Sequence, residues 1–211
     1  MRALLQACMK AGSITACMTM TTEDLWQSNF TDHLDVAQAT RAALFEPFER
    51  LLSLSIEAVR GGGKLLFFGN GGSAADAQHL ATELTVRYVN DRPPIPAIAL
   101  GTDISTLTAI GNDMGFEALF ARQIEALGRT GDVAIGITTS GRSRNVIRGL
   151  EQARTQGLTA AALSGHDGGE LAGLADPLLI VPATVTARIQ EMHITLGHML
   201  CDGLERGLGL V

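Results

Sequence analysis

The sequence predicts an α/β protein: a doubly wound, flavodoxin-like, five-stranded parallel sheet with an added helical segment at its N-terminal end. Three observations carry this. Short apolar runs at Leu65–Phe68, Ala97–Leu100, Asp132–Thr138, Leu158–Leu163 and Leu178–Val181 read as strands, since strands of a parallel sheet are buried on both faces and need no polar alternation. Segments with helical spacing separate them, as right-handed βαβ crossovers require. Two of the runs stop at Gly/Ser-rich elbows, and such sheets hold their ligands at the carboxyl ends of strands.

The 211 residues suffice for one domain with a full core. A hydrophobic content of 46%, 24 glycines and 4% aromatics fit a compact protein with many tight turns. The net charge of −6 and the lack of any basic run argue against a nucleic-acid partner. No apolar stretch approaches the ~18 residues of a membrane span. Three cysteines without a pairing pattern, Cys8, Cys17 and Cys201, point to a reducing compartment, the cytoplasm.

Residues 1–20 fit poorly with the rest of the chain. Arg2 and Lys10 flank an apolar run too short for a signal peptide, and Met18 and Met20 stand just before Thr21. The segment reads as an extension, disordered or upstream of the true start, and residues 21–211 as the single domain. A helical pattern runs from Thr31 to Arg60, with Leu34, Ala37, Ala42, Leu44, Phe48, Leu51, Leu52 and Ile56 on one side and Gly61-Gly62-Gly63 at its end. Pro47 kinks or splits it. A helix outside the sheet unit is a candidate oligomer contact.

Strand Leu65–Phe68 ends at Gly69-Asn70-Gly71-Gly72, and Ser73 is the expected N-cap of the next helix. A strand, a glycine elbow and a helix start form a cradle for an anion or a sugar; the same elbow also closes many βα turns for packing alone. On the helix, Ala74, Ala77, Leu80, Ala81, Leu84 and Tyr88 share a face. His79, Glu83 and Arg87 stand four apart on a neighbouring stripe. A His and a Glu one turn apart can grip a metal ion or a substrate, and an Arg a turn further can pair with an anion; a solvated face with a Glu–Arg pair has the same spacing.

After the loop Asn90–Pro94 and the second strand come a short helix near Asp103–Ile110, a turn at Gly111-Asn112-Asp113 and an amphipathic helix over Phe116–Leu127. The third strand runs into Thr138-Thr139-Ser140-Gly141-Arg142-Ser143, ahead of a helix over Asn145–Gln156. Hydroxyls and backbone N–H groups at a helix start suit a phosphate monoester. The Walker spacing and its Lys are absent, as is a G-x-S-x-G nucleophile elbow. With no nucleotide fingerprint, a small phosphorylated metabolite is the expected ligand.

The last helix, Thr184–Leu208, carries an apolar face of Val185, Ile189, Met192, Leu196, Met199 and Leu200. Opposite lies a mixed stripe of Gln190, Ile194, His198 and Cys201, so the helix is expected to be covered on both sides. Gln190 and His198 are two turns apart and can reach one ligand. His193 reads as structural or solvent-facing; His33 and His166 have no chemical company.

The elbow GNGGSAADAQHLATEL, the GND turn, the loop TTSGRS and the ending TARIQEMHITLGHML together resemble the phosphoheptose isomerases of the sugar isomerase (SIS) domain superfamily, from about Thr21 to Leu208. The resemblance implies zinc ligands at His79, Glu83, Gln190 and His198, and a sugar lined by Asn70, Gly71, Gly72, Asn112 and Asp113. It also implies phosphate held by Thr138, Thr139, Ser140 and Ser143, with Arg87 near the substrate, in a homotetramer whose sites draw on neighbouring subunits. The chain departs from the family at Thr138, where Ser is frequent, and at Arg142, where Asn is common. Both keep or add phosphate-binding capacity. The implied reaction moves a proton from C1 to C2 of sedoheptulose 7-phosphate through an enediol, the first step of nucleotide-activated heptose synthesis. Glu83 is the expected base and His198 the acid. Rival readings are a non-catalytic phosphosugar sensor or replication-initiator adaptor, and an isomerase of another phosphosugar. The full His79, Glu83, Gln190, His198 set favours the enzyme.

Overall fold

The structure, a computed structural model, describes residues 20–211; the expected extension over residues 1–20 lies, Met20 apart, outside them, as do Cys8 and Cys17. The chain divides into two compact units, Met1–Asp32 and His33–Val211, at a boundary inside helix α1 (Thr22–Ala43). The described part of the first unit holds the start of that helix. The Thr21 N–H and hydroxyl donate to the Asp24 carboxylate at 3.0 and 2.7 Å, and the Asp24 N–H returns a bond to Thr21 Oγ1 at 3.0 Å. This reciprocal cap starts the helix well before the expected Thr31.

In the second unit α1 stops at Ala43 and α2 (Phe45–Arg60) follows at once. The ring of Pro47 excludes the carbonyl four residues back, that of Ala43, while a missing N–H in the first turn of α2 costs nothing. The expected kink is therefore a full break at Leu44.

Strands β1 (Leu65–Gly69), β2 (Ala97–Ala99), β3 (Val133–Ile137), β4 (Thr159–Ser164) and β5 (Leu178–Ile180) pair in parallel in the order β2-β1-β3-β4-β5. This is the flavodoxin-like order. Helices α3 (Gly72–Thr85), α4 (Ile104–Asp113), α5 (Leu119–Leu127), α6 (Arg144–Thr155) and α7 (Thr186–Gly207) lie between and after them. The pleat sorts each apolar strand onto two cores. Leu65 and Phe67 pack with Leu51, Leu80, Leu84, Ile189 and Leu200 of α2, α3 and α7. Leu66 and Phe68 pack with Ile110, Phe120, Val146 and Leu150 of α4, α5 and α6. The strand order reverses between β1 and β3, where Gly69 lies beside Ile137, so both elbows leave from the switch point.

Several element ends differ from expectation. α3 stops at Thr85 with Val86 as its cap, which leaves Arg87 and Tyr88 beyond the helix. α4 runs on through Asp113, so Gly111-Asn112-Asp113 is its last turn rather than a separate one. Residues 116–127 form a 3-10 turn, Phe116–Ala118, followed by α5. On α7, Ile189, Met192, Leu196 and Leu200 face inward as expected, but Val185 and Met199 are 56% and 48% exposed. Val185 precedes the helix as its N-cap, and Met199 falls on the outer side, in a hollow with Phe45 and Phe48. Cys201, expected on the mixed stripe, is fully buried in the core, where burial pushes its thiol up to about 12. No described helix is long and apolar enough to cross a membrane.

Candidate active site

The first elbow is built on backbone freedom. The cap of α3 is Gly71, at φ 56°, so the expected cap Ser73 lies inside the first turn and is buried. Its N–H donates to the Asn70 carbonyl at 3.0 Å. A Cβ at Gly72 would displace the Gln190 carboxamide, which reaches over from α7. The Asn70 and Asn145 carboxamides exchange hydrogen bonds at 2.9 and 2.8 Å. Asn145 Oδ1 also accepts the Val146 N–H at 2.9 Å. The two elbows and α7 thus form one rim.

In the second elbow, buried Thr138 places Oγ1 3.3 Å from Ser143 Oγ. Ser143 is the N-cap of α6 but makes no side-chain cap bond, and Thr139 is half-buried beside it. Ser140 Oγ accepts the Arg142 N–H at 3.2 Å. Gly141, at φ 65°, sits so close to the Gly168 carbonyl that a Cβ would overlap it, and its own carbonyl accepts the Glu170 N–H at 2.9 Å. The loop after β4 therefore buttresses the hydroxyl loop. Arg142 is engaged: its guanidinium donates to both Asp167 oxygens at 3.0 and 2.7 Å and to the Ser140 carbonyl at 3.2 Å. The guanidinium holds the Asp167 carboxyl down at about 2.

On α3 and α7, three donor groups converge. His79 Nε2 is 2.9 Å from His198 Nε2 and 3.3 Å from Glu83 Oε1, and the ligand atoms of all three lie within 4.8 Å of one another. Helical spacing explains the pair on α3, since residues four apart stack on one face. The Tyr88 ring packs 5.4 Å from that of His198. Burial lowers the pKa of His198, the nearby His79 adds to this, and Glu83 opposes it. Two imidazole nitrogens and a carboxylate oxygen form a donor set suited to a divalent ion such as zinc.

The other expected site residues sit differently. The Gln190 carboxamide rests on Gly72 in the first elbow. Arg87 does not continue the stripe; it pairs with Asp91 at 2.5 Å on the surface. Asn112 and Asp113, hydrogen-bonded to each other at 2.7 Å, are exposed at the end of α4. His193 is fully buried, with Nε2 3.0 Å from the Ser164 carbonyl, and so is structural rather than solvent-facing. His33 Nδ1 meets Glu191 Oε2 at 2.8 Å.

Four residues near this group were not singled out in the sequence. Asn145 carries no mark there beyond opening a helix. Asp76, one turn before His79, buries an Oδ2 without a hydrogen-bond partner among the described residues, and burial raises its pKa. Arg92 and Glu205 form a buried ion pair at 2.8 Å. They stand 113 residues apart in the chain, and nothing local announces their meeting.

The SIS domain family matches residues 27–165. A phosphoheptose isomerase of Paramagnetospirillum magneticum is 61% identical over 82% of this chain and 91% of its own length. The structure of a phosphoheptose isomerase from Neisseria gonorrhoeae superposes with a TM-score of 0.83 at 43% identity, covering 88% of this chain and all of that one. One from Francisella tularensis gives 0.86 at 37% identity, covering 89% and 100%. With the sheet order, the elbows at the switch point and the His/Glu group, these likenesses lead to one conclusion: the chain belongs to the phosphoheptose isomerase family of SIS-domain sugar-phosphate isomerases.

Proposed function

We propose that the protein converts sedoheptulose 7-phosphate to D-glycero-D-manno-heptose 7-phosphate, the step that commits the sugar to nucleotide-activated heptose. The reading rests above all on the convergence of His79, Glu83 and His198. A sensor would need the elbows but not this group.

Isomerising a 2-ketose requires removal of a proton from C1 and its return at C2, with a proton moved from O1 to O2. The Glu83 carboxylate is the base that takes the carbon proton and returns it. The His198 imidazole, whose pKa burial lowers, accepts and donates the oxygen proton. The hydroxyls of Thr138, Thr139, Ser140 and Ser143, with the N–H groups at the start of α6, bind the phosphate. Asn70, Gly71, Gly72, Asn112 and Asp113 line the sugar, with Arg87 near the substrate. His79, Glu83, Gln190 and His198 would hold one zinc ion. When bound, the ion supplies Lewis-acid polarisation of the C1 and C2 oxygens.

The assembly is a homotetramer in the cytoplasm, its product feeding lipopolysaccharide or other glycoconjugates. The apolar hollow between α1, α2 and α7, lined by Phe45, Phe48, Leu196 and Met199, supports a face that is covered by another copy. Purified protein is expected to form aldoheptose phosphate, to lose that activity on chelation and to regain it with zinc. Absence of turnover with any divalent ion, while the phosphosugar still binds, would replace this reading with that of a sensor.

A further inference from the structure

We propose that Arg92 and Glu205 are positioning residues that set the distance between Glu83 and His198 by locking the end of α3 to α7. The inference rests on the isomerase reading for its activity measurement only. Both side chains are fully buried, with Arg92 Nε 2.8 Å from Glu205 Oε1. The rest of the guanidinium caps α3: Nη2 donates to the Glu83 carbonyl at 2.8 Å and Nη1 to that of Leu84 at 2.7 Å. A helix end leaves such carbonyls without intrahelical partners; that of Leu84 also accepts the Ile95 N–H at 2.9 Å. One of them belongs to the residue whose carboxylate joins the His/Glu group.

Glu205 stands seven residues after His198, two turns along the same face of α7. Its Oε1 also accepts the Tyr88 N–H at 3.2 Å, which fixes the residue whose ring packs on His198. A single buried pair therefore touches the backbone of Glu83, the helix of His198 and the backbone of Tyr88, whose ring packs on His198. The pair is poorly built for stability alone. Glu205 Oε2 is buried without a hydrogen-bond partner among the described residues, and buried ion pairs are often no better than apolar replacements of similar volume. A planar fork that reaches a carboxylate and the carbonyls of Glu83, Leu84 and Pro93 at once is suited to fixing geometry.

The test uses the double variant Arg92→Met/Glu205→Met, which leaves no unpaired charge, and Arg92→Lys, which keeps the charge but cannot make all of the guanidinium's contacts. Thermal midpoints and near-ultraviolet circular dichroism establish that each is folded. Zinc affinity is read by chelator competition, and the His79 and His198 imidazole resonances by NMR of the metal-free protein. The double variant is expected to bind zinc about 10- to 100-fold more weakly, as loss of groups supporting metal ligands does. Its His79 and His198 resonances should move while that of His193 stays, and kcat should fall with KM little changed. Arg92→Lys should lie between it and the wild type. A folded double variant with wild-type zinc affinity and unmoved His79 and His198 resonances would reduce the pair to a structural tie. If the wild type itself turns over no heptose phosphate, the functional reading falls, and zinc affinity and the resonances still decide the positioning role. If the wild type binds no zinc either, the resonances alone decide it.

Discussion

Replacing Glu83 by glutamine is expected to lower turnover of sedoheptulose 7-phosphate by about 10²- to 10⁴-fold, the usual worth of a positioned general base, while KM changes little. Glutamine keeps the shape and an oxygen donor at the same reach, so metal retention and the packing of α3 should survive. What it removes is the negative charge that accepts the C1 proton. The phosphate elbow lies on β3 and α6, away from the substituted side chain, so binding should persist. The check is a steady-state comparison of kcat and KM, with zinc content measured on the same samples. Turnover within tenfold of wild type at full zinc occupancy would remove Glu83 from the role of base and leave it a ligand alone. The distinction matters because a carboxylate bound to a metal is a weaker base than a free one, so the two roles compete for one oxygen.

The sequence was most legible where local rules and tertiary packing agree. Leu65–Gly69 and Val133–Ile137 are apolar throughout because both faces are covered, so strand positions and the sheet type could be read from runs alone. Helical spacing likewise brought His79 to Glu83. It misled at the end of α3, where the same stripe carried Arg87 into a segment that is no longer helix. The periodicity continues past Thr85, but Arg92 takes the Glu83 and Leu84 carbonyls and turns the chain into the loop before β2. A capping contact from beyond the helix overrode the pattern within it. Asn145 and Glu205 were missed for a related reason: each acquires its role from a partner distant in sequence, Asn70 in one case and Arg92 in the other. On α7, 100° per residue placed Cys201 near His198, yet the burial of the helix against the sheet draws Cys201 into the core.

Acid should weaken the fold through one histidine in particular. The His193 side chain is fully buried on α7, its Nε2 donates to the Ser164 carbonyl at 3.0 Å, and its Nδ1 has no hydrogen-bond partner among the described residues. A second proton would have to sit on Nδ1, desolvated and facing no acceptor, and burial accordingly lowers the pKa from 6.5 to about 4. The unfolded chain takes up that proton near pH 6.5, the folded chain only near 4. Between the two the unfolded state binds more protons, so stability falls as the pH drops through this window. The full loss below it is about 3 kcal/mol. His193→Gln keeps a donor toward Ser164 but does not titrate. The urea midpoint of the wild type should therefore fall more steeply than that of the variant from pH 6.5 to 4, and parallel profiles would show that His193 is not the group responsible. The second proton leaves the Nε2 bond between α7 and the carboxyl end of β4 in place, so the cost falls on the desolvated Nδ1 alone.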